Sequence, residues 1–267
     1  MTWTDQGHPL AALLGLLGGV LVGALLPRVI ARIPEPKPEP KPESAPDPES
    51  DQGADPESGA DSAPPAEPLP PKPLYADLGA SSGLALRLAI ATGVGAAVLA
   101  ASIGHDWALL VALPLAPVCV VLGYVDLHTR LLPSRVLLPS HAVAIVLAGA
   151  AAWAAGDAHP LIRAVIAMAV VRSVFWVLWW LRASAMGFGD VRLSALLAFG
   201  LGYLGWSEVV IGIYAGFIVF VLPGLSIALV RRDRGFLKAR IPFGPALVVG
   251  ALLGVAFGPW IATGLGY

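Results

Sequence analysis

Eight apolar runs, at about 9–27, 83–104, 107–125, 136–155, 160–181, 191–205, 208–230 and 243–263, leave this chain little choice of fold. About 20 apolar residues suffice to cross a bilayer as a helix. In lipid every backbone N–H and C=O must find its partner inside the segment, which a helix achieves and an open strand does not. The expected class is all-α: a polytopic membrane protein with about eight transmembrane helices. Composition agrees, with 57% of residues hydrophobic and 13% charged, against about 25% charged in soluble domains. The run at 191–205 is short, so its helix is expected to begin earlier, in the turn Gly187-Phe188-Gly189-Asp190.

The one long polar stretch, 34–74, opens Pro-Glu-Pro-Lys-Pro-Glu-Pro and stays rich in Pro, Glu, Asp, Ser and Ala. It has too little apolar surface to offset the entropy of ordering, so it reads as a disordered or polyproline II linker. Three parts follow: an N-terminal transmembrane helix over 1–33, the linker over 34–74, and a seven-helix domain over 75–267. A net charge of −1 with no basic stripe gives no reason to expect nucleic acid as a partner. The single cysteine, Cys119, excludes an internal disulfide or a multi-cysteine zinc site. It reads as a small buried hydrophobe. The scattered histidines have no metal-ligand spacing, so neither metal nor cofactor is expected.

Lysine and arginine set the orientation. Arg28, Arg32, Lys37, Lys41, Lys72 and Arg87 fall between runs one and two, and Arg130 and Arg135 between three and four. Arg182 and Arg192 fall between five and six; Arg231, Arg232, Arg234, Lys238 and Arg240 fall between seven and eight. The loops of the other side are short and bordered only by Arg163. The basic side is expected to be cytoplasmic, with both termini outside. Trp107, Trp153, Trp206 and Trp260 mark the outer interface, and Trp179 and Trp180 the inner one. The first run lacks a basic segment before it and reads as a retained span, not a cleaved signal peptide.

Two aspartates meet the cytoplasmic face in this frame: Asp126 at the end of the third run and Asp190 at the start of the sixth. A carboxylate at a membrane edge is a functional-site hypothesis by default. Two carboxyls brought close cannot both ionise, so one takes a proton from water while the other donates one to a scissile carbonyl. The same pair fits helix capping or a translocated cation equally well. Gly187 and Gly189 would let an extended peptide backbone pass close to Asp190, or would supply a φ > 0 turn. His128 reads as an interfacial polar residue. Arg172, in the middle of the fifth run, is expected inside the bundle beside a polar partner, or snorkelling.

Three motifs carry a resemblance. Tyr124-Val125-Asp126 through Leu132-Pro133 resembles the first aspartate motif of the type IV prepilin peptidases, and Gly187-Phe188-Gly189-Asp190-Val191-Arg192-Leu193 the second. Ala239-Arg240-Ile241-Pro242-Phe243-Gly244-Pro245 is similar to their C-terminal signature. The resemblance covers about residues 107–255. It implies an integral-membrane aspartic endopeptidase, in the plasma or inner membrane, that removes leader peptides from prepilins and pseudopilins at the cytoplasmic face. It makes Asp126 and Asp190 the catalytic pair and Gly187, Phe188 and Gly189 the active-site loop. Leu132, Pro133, Pro242, Phe243, Gly244 and Pro245 would shape the site, with no cofactor. The implied partners are leader peptides and the lipid bilayer.

Gly23 to Pro34 is similar to a segment at the family's first span, with Pro27 and Ala24 departing from it. Bifunctional members follow that segment with an insert bearing two Cys-x-x-Cys pairs and also methylate the new N-terminus. Here the linker is free of cysteine, so methyl transfer is not expected. The rival readings are that bifunctional enzyme, a presenilin-like protease suggested by Pro245-Ala246-Leu247, and a proton- or cation-coupled transporter. The halves of the chain show no self-similarity of the kind common in transporters.

Overall fold

The computed structural model describes residues 8–35, 74–181, 186–231, 242–264 and 266. The linker interior, with Lys37, Lys41 and Lys72, lies outside the described residues, as do Arg182, Arg232, Arg234, Lys238, Ala239, Arg240 and Ile241. Helices occupy each apolar run and no strand occurs among the described residues. The order is α1 (Pro9–Ala31), α2 (Tyr75–Gly79), α3 (Leu84–Ile103), α4 (Leu109–Thr129), α5 (Ser134–Ala155), α6 (His159–Leu181), α7 (Phe188–Leu204), α8 (Trp206–Arg231) and α9 (Gly244–Gly264). Six of them, α1, α3, α4, α5, α6 and α9, are long and apolar enough to cross a membrane. The protein is an all-α polytopic membrane protein. Of the other two long helices, α7, with 17 residues, departs from the simple picture of eight equal spans, whereas α8 covers the whole of the seventh apolar run.

Burial explains α7. Val191, Leu193 to Phe199 and Leu201 to Tyr203 are all buried, which leaves no lipid-facing stripe. A helix apolar all round belongs in the core of the bundle, and α4, α5, α6, α8 and α9 all pack against it. Its length is set by those neighbours and not by bilayer thickness. It starts at Phe188, so the Gly187-Phe188-Gly189-Asp190 turn opens it, as the short apolar run predicts.

Small residues set the closest packing. On α1, Gly15, Gly19 and Gly23 recur every fourth residue and face α3; a Cβ on Gly19 would lie 2.7 Å from the Thr92 carbonyl oxygen. Without a hydrophobic force between helices in lipid, such backbone contact is what holds them. At the start of the linker, Glu35 accepts a hydrogen bond from the Tyr75 N–H, which ties the end of α1 to α2.

The C-terminal end of α7 has its own device. Arg163 of α6 donates from Nε to the Gly202 carbonyl and from Nη2 to those of Tyr203 and Leu204, each at 2.7 Å. Three of the carbonyls a helix leaves open at its end are thereby met, by a cation on the negative end of the helix dipole. Arg163→Leu is expected to lower stability by about 2–3 kcal/mol, since it leaves partly buried carbonyls without partners. A thermal unfolding midpoint in detergent that matches wild type would contradict this.

Candidate active site

Asp126 lies in the last turn of α4, buried to 5% exposure. The helix closes at Arg130, whose φ of 55 and ψ of 31 put it in the left-handed region; it is the only described non-glycine residue with positive φ. The Arg130 N–H donates to the Asp126 carbonyl at 2.8 Å. Thr129 Oγ1 donates to the Val125 carbonyl at 2.8 Å and accepts from the Leu131 N–H at 3.3 Å. These bonds fold the chain back at once, and Pro133, at φ −65, leads into α5. Leu132 is thus carried to the start of α7.

There it meets Gly189. A Cβ on Gly189 would lie 2.7 Å from Leu132 Cβ and 3.1 Å from its Cδ1. The need for glycine at 189 comes from this intramolecular contact. Neither Gly187 nor Gly189 has positive φ, so the left-handed turn allowed by the sequence is not used. Gly187 is extended at φ −76, ψ 147, and exposed. A second latch runs alongside: Arg192 donates to Ser134 Oγ at the start of α5, and its guanidinium lies 4.8 Å from the Phe188 ring centroid. Phe188 also meets Trp179 edge-on at 5.1 Å.

Asp190 is the third residue of α7 and 7% exposed. Its N–H donates to the Gly187 carbonyl at 3.0 Å, and its Oδ2 accepts from the Gly187 N–H at 3.2 Å. A carboxylate in the first helical turn also sits at the positive end of the dipole. The capping reading and the site reading therefore describe the same residue. Asp190 Oδ1 is buried and has no hydrogen-bond partner among the described residues.

The third motif supplies the partner of Asp126. Phe243 is buried in a group of aromatic rings from two helices: Phe175 of α6 at 6.1 Å, and Phe217 and Phe220 of α8 at 5.4 and 4.8 Å. That anchor fixes the next residue, and the Gly244 N–H donates to Asp126 Oδ2 at 3.0 Å. Gly244 opens α9, so its N–H is one of the donors a helix start leaves free. A Cβ there would stand 2.8 Å from Asp126 Oδ2 and 3.4 Å from Leu193 Cδ2 on α7. Asp126, Gly244 and the first turns of α7 thus meet at one buried point. Pro245, which has no N–H to leave unpaired, faces Gly123 of α4.

Most of the expected site residues therefore converge: Asp126, Leu132, Gly187, Phe188, Gly189, Asp190, Phe243 and Gly244 in direct contact or bonding, with Pro133 and Pro245 bracing them. Pro242 is half-buried just ahead of Phe243. His128 does not join them; it is exposed, with Nδ1 2.9 Å from the Tyr124 carbonyl and its ring 4.3 Å from that of Tyr124. Arg172 is exposed and points out of the bundle, which overturns the first of its two expected placements, inside beside a polar partner. The sequence reading missed the Gly244 N–H as a donor to Asp126 and Arg192 as a latch. The first had a signal, since Gly-Pro ahead of an apolar run marks a helix start. Among the described residues no group of three or more His, Cys, Asp or Glu is placed to hold a metal ion.

Beyond the carboxyls, between α3, α4, α7 and α9, lies an apolar cavity of about 230 Å³ lined by Leu99, Ala116, Cys119, Leu197, Leu201 and Val248 among others. Cys119 is seven residues from Asp126 and Leu197 seven from Asp190, about 10 Å along each helix.

No solved structure matches the chain. Over 172 residues it is 30% identical to the prepilin leader peptidase/N-methyltransferase of Aeromonas salmonicida (strain A449), covering 62% of this chain and 56% of the relative. It is 29% identical over 165 residues to the protein of that name from Aeromonas hydrophila, covering 60% and 53%. For Burkholderia pseudomallei (strain K96243) the values are 28% over 176 residues, 63% and 53%. The chain spans little more than half the length of these curated relatives. Residues 113–230, which carry both Asp126 and Asp190, match the model of the Type IV leader peptidase family, the family that the three motifs resemble.

Proposed function

We propose that this protein is a membrane aspartic endopeptidase that removes leader peptides from prepilins or pseudopilins at the cytoplasmic face, with Asp126 and Asp190 as its catalytic pair. One observation carries the reading: two buried aspartates, from the two motifs inside the family match, converge on one point, each bonded to a main-chain N–H at a helix start. The excess of Lys and Arg on the loops of that end supports a cytoplasmic site with both termini outside. The apolar cavity beyond the pair supports a substrate whose chain continues into the apolar layer.

In this reading the pair holds one proton between its carboxyls. The ionised member takes a proton from a water molecule, whose oxygen attacks the scissile carbonyl carbon. The protonated member gives its proton to the carbonyl oxygen. When the tetrahedral intermediate collapses, the C–N bond breaks and the proton taken from water passes to the leaving amine. The Gly244 and Gly187 N–H groups hold the two carboxyls in place without consuming a proton. The second activity in the relatives' names, N-methyl transfer, is left out of the proposal, because residues 36–73 contain no cysteine.

Co-expression with a prepilin tests the reading directly, since the leader should be lost. Asp126→Asn and Asp190→Asn should each lower turnover by at least about 10²–10⁴-fold. The double variant should add little, because the two act as a unit. Near-normal cleavage by either single variant, properly inserted, would sink the assignment. Gly244→Ala places a methyl against Asp126 Oδ2 and should slow cleavage by up to about 10²-fold through misplacement alone. An insertion-competent Gly244→Ala protein with wild-type turnover would show that this N–H does not position Asp126. Gly189→Ala should also slow cleavage, and Leu132→Gly in the same chain should restore part of the loss. Without that rescue, the Gly189–Leu132 contact is not what the glycine serves.

A further inference from the structure

Arg172 is the one cation in the middle of a described helix that faces away from the protein. It lies nine residues from the Leu181 end of α6 and thirteen from His159, about 14 and 20 Å of helix rise. The buried face of α6 is Ala164, Ala167, Val171 and Phe175. Arg172 lies off that face, in an exposed stripe with Val165, Ala169, Ser173 and Trp176. The other arginine of α6, Arg163, turns inward and is held by three carbonyls; Arg172 has no bond of that kind among the described residues. An ionisable side chain at mid-depth is costly in lipid, and pairs with an opposite charge.

We propose that this face of α6 docks the transmembrane helix of a partner protein that carries an aspartate or glutamate at mid-depth. Two observations besides the charge favour a helix as the occupant. Ala169 and Ser173, four apart beside Arg172, are small enough for a second backbone to come close. Ser173 already has its hydroxyl bonded to the Ala169 carbonyl at 2.8 Å, so it presents no unmet polar group to lipid. A second copy of this chain does not fit. Its described carboxylates lie at the two ends of the bundle: Asp126, Asp190, Glu35 and Asp77 at one, Asp106, Asp157 and Glu208 at the other. None stands at the depth of Arg172.

The test uses the full-length protein in phosphatidylcholine vesicles. The probe is a synthetic Leu/Ala transmembrane helix with one central glutamate and a photoreactive leucine beside it. After irradiation, adducts mapped by mass spectrometry should fall on residues 165–176. A control helix with glutamine in place of glutamate should give about ten-fold fewer. Arg172→Leu should remove the difference between the helices, and Arg172→Lys should keep much of it. Equal labelling by the glutamate and glutamine helices of wild-type protein would overturn the proposal, and would mean that lipid phosphate meets the guanidinium. So would adducts spread over other helices with α6 unlabelled. The wild-type comparison needs no variant to fold. It also runs without prepilin, so its failure is distinct from failure of the peptidase reading.

Discussion

A carboxylate buried in an apolar bundle needs a donor, and the bundle has few to give. Helices use up their own N–H groups everywhere except in the first turn. Both buried aspartates of the site are therefore found where a helix begins. Asp190 turns back on the start of α7, and Asp126, at the end of its own helix, reaches the start of α9. The remaining architecture can be read as what brings those two helix starts to one place. It needs the reversal after Thr129, the latch between α5 and α7, and an anchor for the chain ahead of α9.

The anchor is aromatic. Phe243 sits among rings of α6 and α8, so the position of the Gly244 N–H depends on two helices that, among the described residues, hydrogen-bond to neither carboxylate. The latch combines a stacked and hydrogen-bonded arginine with a glycine seated on Leu132. In both cases a large side chain fixes the backbone and a glycine leaves it bare where contact is closest. That division of labour accounts for Phe188-Gly189 in one motif and Phe243-Gly244 in the other.

The apolar runs made the helices legible, because a 20-residue run in lipid has one good solution. The two aspartates were legible as well, since a charge at the edge of such a run stands out. The Asp126–Gly244 bond was not, because it joins residues 118 apart through a backbone group that every residue possesses. The Gly189–Leu132 contact is hidden for a related reason. A glycine next to an aspartate suggests room for a substrate, and nothing local shows that Leu132 fills the room. Arg163 and Arg172 illustrate the same limit on one helix. Both are arginines in an apolar run, nine residues apart, and only the rotation of α6 against α7 turns one inward and the other out.

Asp190 also serves a structural end that bears on its chemistry. Helix α7 is short and enclosed along its length, and a side chain completes each of its ends. A carboxylate closes its N-terminal end and the guanidinium of Arg163 its C-terminal end, each sign matched to the dipole there. A carboxyl held this way needs no additional scaffold, since the bond that caps the helix also orients it. Only Oδ2 is committed to that bond. Oδ1 is buried and without a partner among the described residues. Asparagine at 190 would keep an acceptor for the Gly187 N–H while removing the charge and the proton. An activity lost on that exchange, in a protein that remains folded, would therefore belong to the chemistry of the carboxyl and not to the cap.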